Sequence, residues 1–333
     1  MDLTATYLGL SLRNPLVASP SPLSRTVTGV RRLVEAGVGA VVLPSLFEED
    51  ILEAERREGM LLDQGSDVFS ESLSYFPETA APASSPEAYL RLIERAAGAV
   101  GIPVLASLNA ATPEGWAGLA RSMGEAGAAA IELNFYQLPA DLETTSGEVE
   151  TRLLEAVQAA RAAARVPVAV KLVPYFSSLG EMAIRLDRAG ADGLILFNRW
   201  LQPEIDPESG RALPGIGLST PMDGRLPRLW IALLRGRVRA SLAGSSGVES
   251  TQDLIRYLLA GADAVMTTSA LLRHGPDHAR SLLDGLMGWM AAHGLQRLAD
   301  IRTRAAAATR PAELRSAYVE ALRVANSQDQ GPW

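Results

Sequence analysis

Lys171 is the only lysine in a sequence that otherwise uses arginine: of its 31 basic residues, 30 are arginine. It sits near the end of the apolar run PVAVKL, over 167–172. A charge inside a strand pattern is costly to bury unless it is paired or used. An ammonium is a compact point charge, whereas a guanidinium is planar and spread, so the one position that keeps lysine is read as a position that needs the ammonium. The second chemical signal lies in 238–276. An apolar run over 238–243 ends in Gly244-Ser245-Ser246-Gly247, and another over 262–266 ends in Thr267-Thr268-Ser269. Between them Ser250 opens an amphipathic helix with Asp253 as capping-box partner. Leu254, Leu258 and Leu259 form its apolar stripe, and Gly261 ends it. Two adjacent parallel strands carry both turns to one sheet edge. There, backbone N–H groups and the helix start at Ser250 can hold a phosphate.

Further polar residues fall where apolar runs finish: Ser19, Ser45, Asn109, Asn134 and Asn198. The runs themselves cover 15–19, 39–43, 103–108, 129–133, 167–172, 192–197 and the two already described. Helical patterns separate or follow them at 26–36, 48–57, 86–99, 113–126, 147–164, 178–189, 226–234, 277–292 and 312–325. Alternation of this kind predicts a parallel sheet covered by helices. Eight repeats, with phosphate-type turns after the last two, predict a closed (β/α)8 TIM barrel in a single domain over 1–325. No G-x-G-x-x-G follows an early strand, so a dinucleotide-binding fold is not read here. A long irregular stretch over 58–85, carrying Tyr75 and Phe76, is expected to cover the active site. An excursion over 200–220 reads as a small hairpin, and 326–333 as a loose tail.

In a barrel the strand ends converge on the face that carries the chemistry. Amide groups, one ammonium and a phosphate cradle on that face match a bound flavin mononucleotide (FMN). The Asn side chains would meet the polar edge of the ring, and the Lys171 ammonium would sit near N1.

Composition bounds the alternatives. The chain has 333 residues, 47% of them hydrophobic, and a formal net charge of −7, which fits a protein with ample core. No basic run is interleaved with aromatic residues, so nucleic acid is not an expected partner. No apolar run reaches membrane-spanning length. The opening MDLTATYLGL lacks a basic region followed by an apolar stretch, so a cytoplasmic location is expected. There is no cysteine, which excludes disulfides, a thiol nucleophile and a cysteine-held iron–sulfur cluster. His274, His278 and His293 have no metal-ligand spacing, and no metal is expected.

At these residues the sequence resembles the class 1 dihydroorotate dehydrogenases and their relatives, which are FMN-dependent (β/α)8 barrels. The resemblance runs over about 14–274. NPLVASPSP resembles the first-strand motif whose backbone lies against the flavin, which implies that Ala18 and Ser19 contact FMN. IELN resembles the flavin-contacting Asn motif, at Asn134. VKLVPYF resembles the strand bearing the flavin lysine, at Lys171. FN, at Asn198, resembles the second flavin- or substrate-side Asn. AGSSGVES resembles the phosphate loop, implying Gly244, Ser245, Gly247 and Val248, and TTSALL resembles the last phosphate turn, implying Thr268 and Ser269.

The departures concern the substrate. Members of the family carry a Cys or Ser base after the Asn motif, whereas this chain reads Asn134-Phe135-Tyr136-Gln137-Leu138-Pro139. Where the family ends its second strand Lys-Ser, this chain has Pro44-Ser45, and where the family has Asn-Ser it has Asn198-Arg199. The Asn-rich substrate loop has no counterpart in 71–78. Oxidation of dihydroorotate needs a base alongside hydride transfer. The expectation is an FMN oxidoreductase with an altered substrate, a pyrimidine-like or other small ring or a carboxylate, with Arg199 replacing a lost cation and Tyr136 or Tyr75 serving as proton donor. Electrons would leave to a soluble acceptor or a partner chain, and the resemblance implies a homodimer. Two other readings stay open: a non-catalytic FMN-binding subunit, and a flavin-free lyase in which Lys171 forms a Schiff base.

Overall fold

The computed structural model describes residues 1–49, 51, 85–136, 141–199, 203–213, 215, 217–303 and 311–325. Eight parallel strands close a barrel: β1 (Leu16–Ala18), β2 (Ala40–Phe47), β3 (Val104–Asn109), β4 (Ala130–Asn134), β5 (Val168–Leu172), β6 (Gly193–Leu196), β7 (Ser241–Gly244) and β8 (Ala264–Thr267). Each pairs with its neighbour in sequence, and β8 returns to β1. The helices are α1 (Val27–Glu35), α2 (Pro86–Ala99), α3 (Pro113–Glu125), α4 (Ser146–Ala163), α5 (Leu179–Arg188), α6 (Arg225–Leu234), α7 (Thr251–Ala260), α8 (Ser269–His274), α9 (His278–Ala292), α10 (Leu298–Thr303) and α11 (Pro311–Ala325). The anticipated (β/α)8 architecture is therefore the observed one. The anticipated hairpin in the excursion is present as Glu204–Ile205 against Ala212–Leu213.

One local reading is corrected, and two local features come from the structure alone. The second strand does not stop at Pro44 but runs on to Phe47. Proline has no N–H to give the ladder, and the pairing of β2 with β3 shifts register between Val42 and Ser45. Tyr89 of α2 serves the Ser107 backbone beside this bulge: its hydroxyl accepts from the Ser107 N–H at 3.0 Å and donates to the Ser107 carbonyl at 3.2 Å. The turn after β8 opens directly into the short helix α8. Residues before the first predicted strand form a hairpin, Ala5–Tyr7 with Leu10–Leu12. It plugs the end of the barrel where strands begin, with Tyr7, Leu8 and Leu12 buried and the Leu8 N–H donating to Ser241 Oγ at 3.0 Å. A side chain on Gly193, at the start of β6, would collide with Leu8.

Of the helix expected over 48–57, only Glu48, Glu49 and Ile51 are described, and they are helical. The cover stretch with Tyr75 and Phe76 and the tail over 326–333 lie outside the described residues. Among the described residues no helix is long and apolar enough to cross a membrane.

Candidate active site

The strands deliver polar side chains to the barrel interior by simple alternation. In β4, Glu132 and Asn134 face inward and are separated by Leu133; in β5 the inward position is Lys171. Asn134 is in register with Lys171, and Glu132 with Ser107 on the other side, while Ser107 is in register with Ser45. A continuous hydrogen-bonded chain results. Asn198 Nδ2 donates to Asn134 Oδ1 at 2.6 Å, and Asn134 Nδ2 donates to Ser45 Oγ at 3.2 Å. The hydroxyls of Ser45 and Ser107 are 2.8 Å apart. Ser107 Oγ donates to Glu132 Oε1 at 3.3 Å, and Lys171 Nζ stands 3.3 Å from the same oxygen.

Above this chain opens a cavity of about 200 Å³. Lys171, Asn198, Arg199 and Ser19 line one part of it. Ser245–Val248, Ser219, Thr267, Thr268 and Ser269 line another part. The turn after β7 is held from behind by hydroxyls. Tyr257 of α7 meets the Ser245 and Ser246 carbonyls at 2.9 and 2.7 Å, and Thr267 Oγ1 donates to the Val248 carbonyl at 3.0 Å. Thr268 Oγ1 donates to the Ser19 carbonyl at 2.9 Å, which ties the β8 end to the β1 end. Ser246 and Gly247 both adopt positive φ, and the Ser245 and Gly247 N–H groups are donated to the Leu196 carbonyl at 2.7 Å and to Ser219 Oγ at 3.2 Å.

One part of the sequence reading is corrected here. The start of α7 at Ser250 is closed by its own side chains. Ser250 and Asp253 form a full capping box, and the buried Asp253 carboxylate is paired with Arg256 at 3.1 Å and stands 3.6 Å from Arg228. The capping box takes the Ser250 and Asp253 N–H groups, and the residues that open α7 do not line the cavity, which leaves the turn after β7 and the end of β8.

Of the other expected residues, Ala18 ends β1 buried next to Ser19, and Gly244 ends β7 against the Tyr257 ring. Asn109 ends β3 opposite Phe47 and does not line this cavity. Tyr136 is half-buried and does not line it either; Gln137–Pro139 lie outside the described residues. Arg199 is brought to the mouth, where Nη1 pairs with Asp223 at 2.6 Å and Nη2 donates to the Gly217 carbonyl at 3.1 Å. Burial alone would raise the Asp223 carboxyl, but the Thr220 N–H and the Arg199 charge outweigh it and hold it below the usual carboxylate range.

Sequence reading missed Glu132, Ser107, Ser219 and Tyr257. Glu132 carries the same signal that singled out Lys171, a charge within an apolar strand, and is fully buried. Tyr7, on the plug below, has its hydroxyl pushed well up by burial and by the charges of Glu132 and Asp263. Ser219 comes from the Pro/Gly-rich excursion; it accepts from the Gly247 N–H at 3.2 Å and contacts Ser269 Oγ at 3.0 Å. No periodicity marks such a residue.

A sequence profile described as dihydroorotate dehydrogenase matches residues 75–290. Among curated relatives, the dihydroorotate dehydrogenase B (NAD(+)) catalytic subunit of Methanocella arvoryzae is 28% identical over 275 residues, covering 81% of this chain and 87% of the relative. The catalytic subunit of the same name from Methanothermobacter thermautotrophicus is 27% identical over 310 residues, covering 88% and 94%. That from Pyrococcus abyssi is 25% identical over 303 residues, covering 90% and 97%.

Proposed function

Because this chain belongs to the dihydroorotate dehydrogenase family, we propose that it is an FMN-dependent oxidoreductase that moves a hydride between the flavin and a small, pyrimidine-like ring. The observation that carries this reading is the convergence of the only lysine and Asn198 with two hydroxyl-rich turns around one cavity, with Asn134 and Ser45 behind the lining and tied to it through Asn198. The residues fit the group. Ser19 lines the cavity, and its Oγ is buried without a partner among the described residues, an orphaned hydroxyl that a bound group could satisfy. At Gly247 a Cβ would strike the Gly224 backbone and the Thr220 carbonyl, so glycine lets the turn pack against the excursion that carries the cavity-lining Ser219.

The turn after β7, with Ser245, Gly247 and Val248, and the β8 end, with Thr268 and Ser269, would hold the phosphate. Asn134 and Asn198 would present amide groups to the ring edge, beside Ala18 and Ser19. Lys171 would stand as a fixed positive charge near N1. When bound, FMN supplies hydride acceptance and donation that no side chain can perform.

Substrate recognition differs from the family pattern. Asn134, Phe135 and Tyr136 carry no Cys or Ser base, and Tyr136 stands off the cavity. Arg199, paired with Asp223, places a guanidinium at the mouth where the family has Ser. We assign the chain a substrate of the same size class whose oxidation or reduction does not depend on the usual base. Electrons would pass to a soluble acceptor or a partner chain, in a cytoplasmic homodimer.

The flavin-free lyase reading is weakened by Glu132. A Schiff-base lysine must present a neutral amine, and Lys171 is held against a buried carboxylate. Visible absorption of the freshly purified protein tests the proposal. A flavin spectrum, with FMN released on denaturation and bleached anaerobically by a reduced pyrimidine or a related small ring, is expected. Colourless protein that takes up no added FMN overturns it.

A further inference from the structure

A carboxylate lies directly beneath the cavity's lysine. Glu132 is in register with Ala169, two residues before Lys171 on the adjacent strand. It therefore belongs to the inward layer below the one that meets the cavity. Its Oε1 takes Lys171 Nζ and Ser107 Oγ, both at 3.3 Å, and its Oε2 is buried without a partner among the described residues. The side chains of Lys171 and Glu132 are 9% and 0% exposed. A buried ion pair seldom stabilises a fold more than well-packed apolar residues would. Apart from Asn134, the other residues of the two strands that carry this pair are alanine, valine, leucine and isoleucine. Stability is thus a poor reason for a carboxylate at this place, and charge placement is a better one.

We propose that Glu132 is a positioning residue for Lys171, fixing the ammonium at the cavity floor and offsetting part of its charge toward the group bound above. This rests on the FMN reading. An ammonium near the flavin ring favours the reduced, more negative form of the cofactor, and a carboxylate behind the ammonium opposes that effect. Glu132 would then hold the flavin at a lower potential than the bare lysine would set. Ser107 shares the anchoring oxygen and fixes the carboxylate rotamer, linking it to the Ser45–Asn134–Asn198 chain.

The single lysine makes the test clean. Protein labelled with ¹⁵N-lysine has one side-chain ammonium, so one Nζ resonance reports Lys171 with no cofactor needed. A signal protected from solvent exchange at neutral pH is expected in the unaltered protein and its loss in Glu132→Gln; the same signal in both overturns the proposal. Should Glu132→Gln fail to fold, Ser107→Ala keeps the charge and removes the other donor to Oε1. Its Lys171 resonance is expected to shift, and an unchanged one counts against the proposal. In FMN-loaded protein, Glu132→Gln is expected to move the midpoint potential upward and Lys171→Met downward. A merely structural glutamate would lower melting without driving the two potentials apart, and that result also overturns the proposal. Protein with a protected signal that takes up no FMN overturns the cofactor reading and the charge-offset role, and leaves the positioning of Lys171 standing.

Discussion

The ring of Tyr257 fills the space that a side chain on Gly244 would need, and its hydroxyl holds the carbonyls of Ser245 and Ser246. Helix α7 thus fixes the turn after β7 from below, through one residue. Arg228 lies over the same ring, 5.5 Å from its centroid, and burial pushes the Tyr257 phenol up, keeping it protonated as a donor. Tyr257→Phe keeps the packing and removes the hydroxyl, leaving a buried carbonyl without its donor. The expected cost is about 1–2 kcal/mol, read as roughly tenfold weaker FMN binding in a fluorescence titration. Unchanged binding would show that the turn holds its shape without the phenol.

Gly247 tests the cradle from the other side. Its φ is +66°, and a methyl group there meets the Gly224 backbone and the Thr220 carbonyl. A left-handed conformation costs an L-residue about 1–2 kcal/mol, and the collision adds to that by pushing the turn away from the excursion. Inorganic phosphate is expected to raise the melting temperature of the unaltered protein and to have no effect on Gly247→Ala.

The barrel was legible because its signals are periodic. Short apolar runs alternating with capped amphipathic helices survive reading without coordinates, and the Ser250–Asp253 capping box forms as its spacing says. What failed did so for local reasons. Pro44 reads as a strand end, yet a register shift lets the strand pass through it, and Ser45 lies inside β2 as a result. Glu132 was passed over because one charge in an apolar strand draws notice only when its type is rare, and glutamate is common here where lysine is unique. Asn109 was included because a polar strand end usually faces the site, and it does not line the cavity. Ser219 lies in an excursion whose path no pattern encodes.

Acid stability has an identifiable contributor at the end of β2. Glu48 reaches the start of α3, where its carboxylate accepts from the N–H of Ala111 at 2.5 Å and of Thr112 at 3.0 Å, and from Thr112 Oγ1 at 2.7 Å. Burial works to raise this carboxyl, but the hydroxyl and two N–H groups outweigh it, and the net direction is below the ordinary value of 4.5. A carboxyl lowered on folding contributes stability that is complete above 4.5 and is lost as pH falls through the lower, folded value. Glu48→Gln is expected to lose about 1 kcal/mol at neutral pH and nothing at the acid end. Thermal melts of both proteins between pH 7 and the acid limit should converge; parallel curves would refute the assignment.

Removing only one member of the buried pair should be worse than removing both. Lys171→Met leaves Glu132 as an uncompensated buried charge, at an expected cost of about 3–5 kcal/mol. The double change Lys171→Met with Glu132→Leu removes both charges and should recover most of that loss. Urea denaturation of the two single variants and the double closes the cycle. Additive losses would mean that the two side chains do not interact in solution.

Arg199 stands at the mouth with its charge already taken. Nη1 is paired with Asp223, Nη2 is bound to the Gly217 carbonyl, and Nε is buried without a partner among the described residues. Asp223 is itself fixed by the N–H of Thr220 at 2.7 Å and its hydroxyl at 3.1 Å. It will not readily move aside for an anionic ligand, so the guanidinium presents a donor rather than an uncompensated charge. Asp223→Asn keeps the shape and releases the charge. A carboxylate competitor is then expected to bind about tenfold more tightly, on the order of 1.4 kcal/mol, while its neutral amide is unaffected. Inhibition constants for the acid and amide forms of one small ring, measured at low and high salt, separate the outcomes. Equal gains for both forms would show that the variant opened the mouth rather than freeing Arg199, and no gain for either would place the substrate's charged end elsewhere.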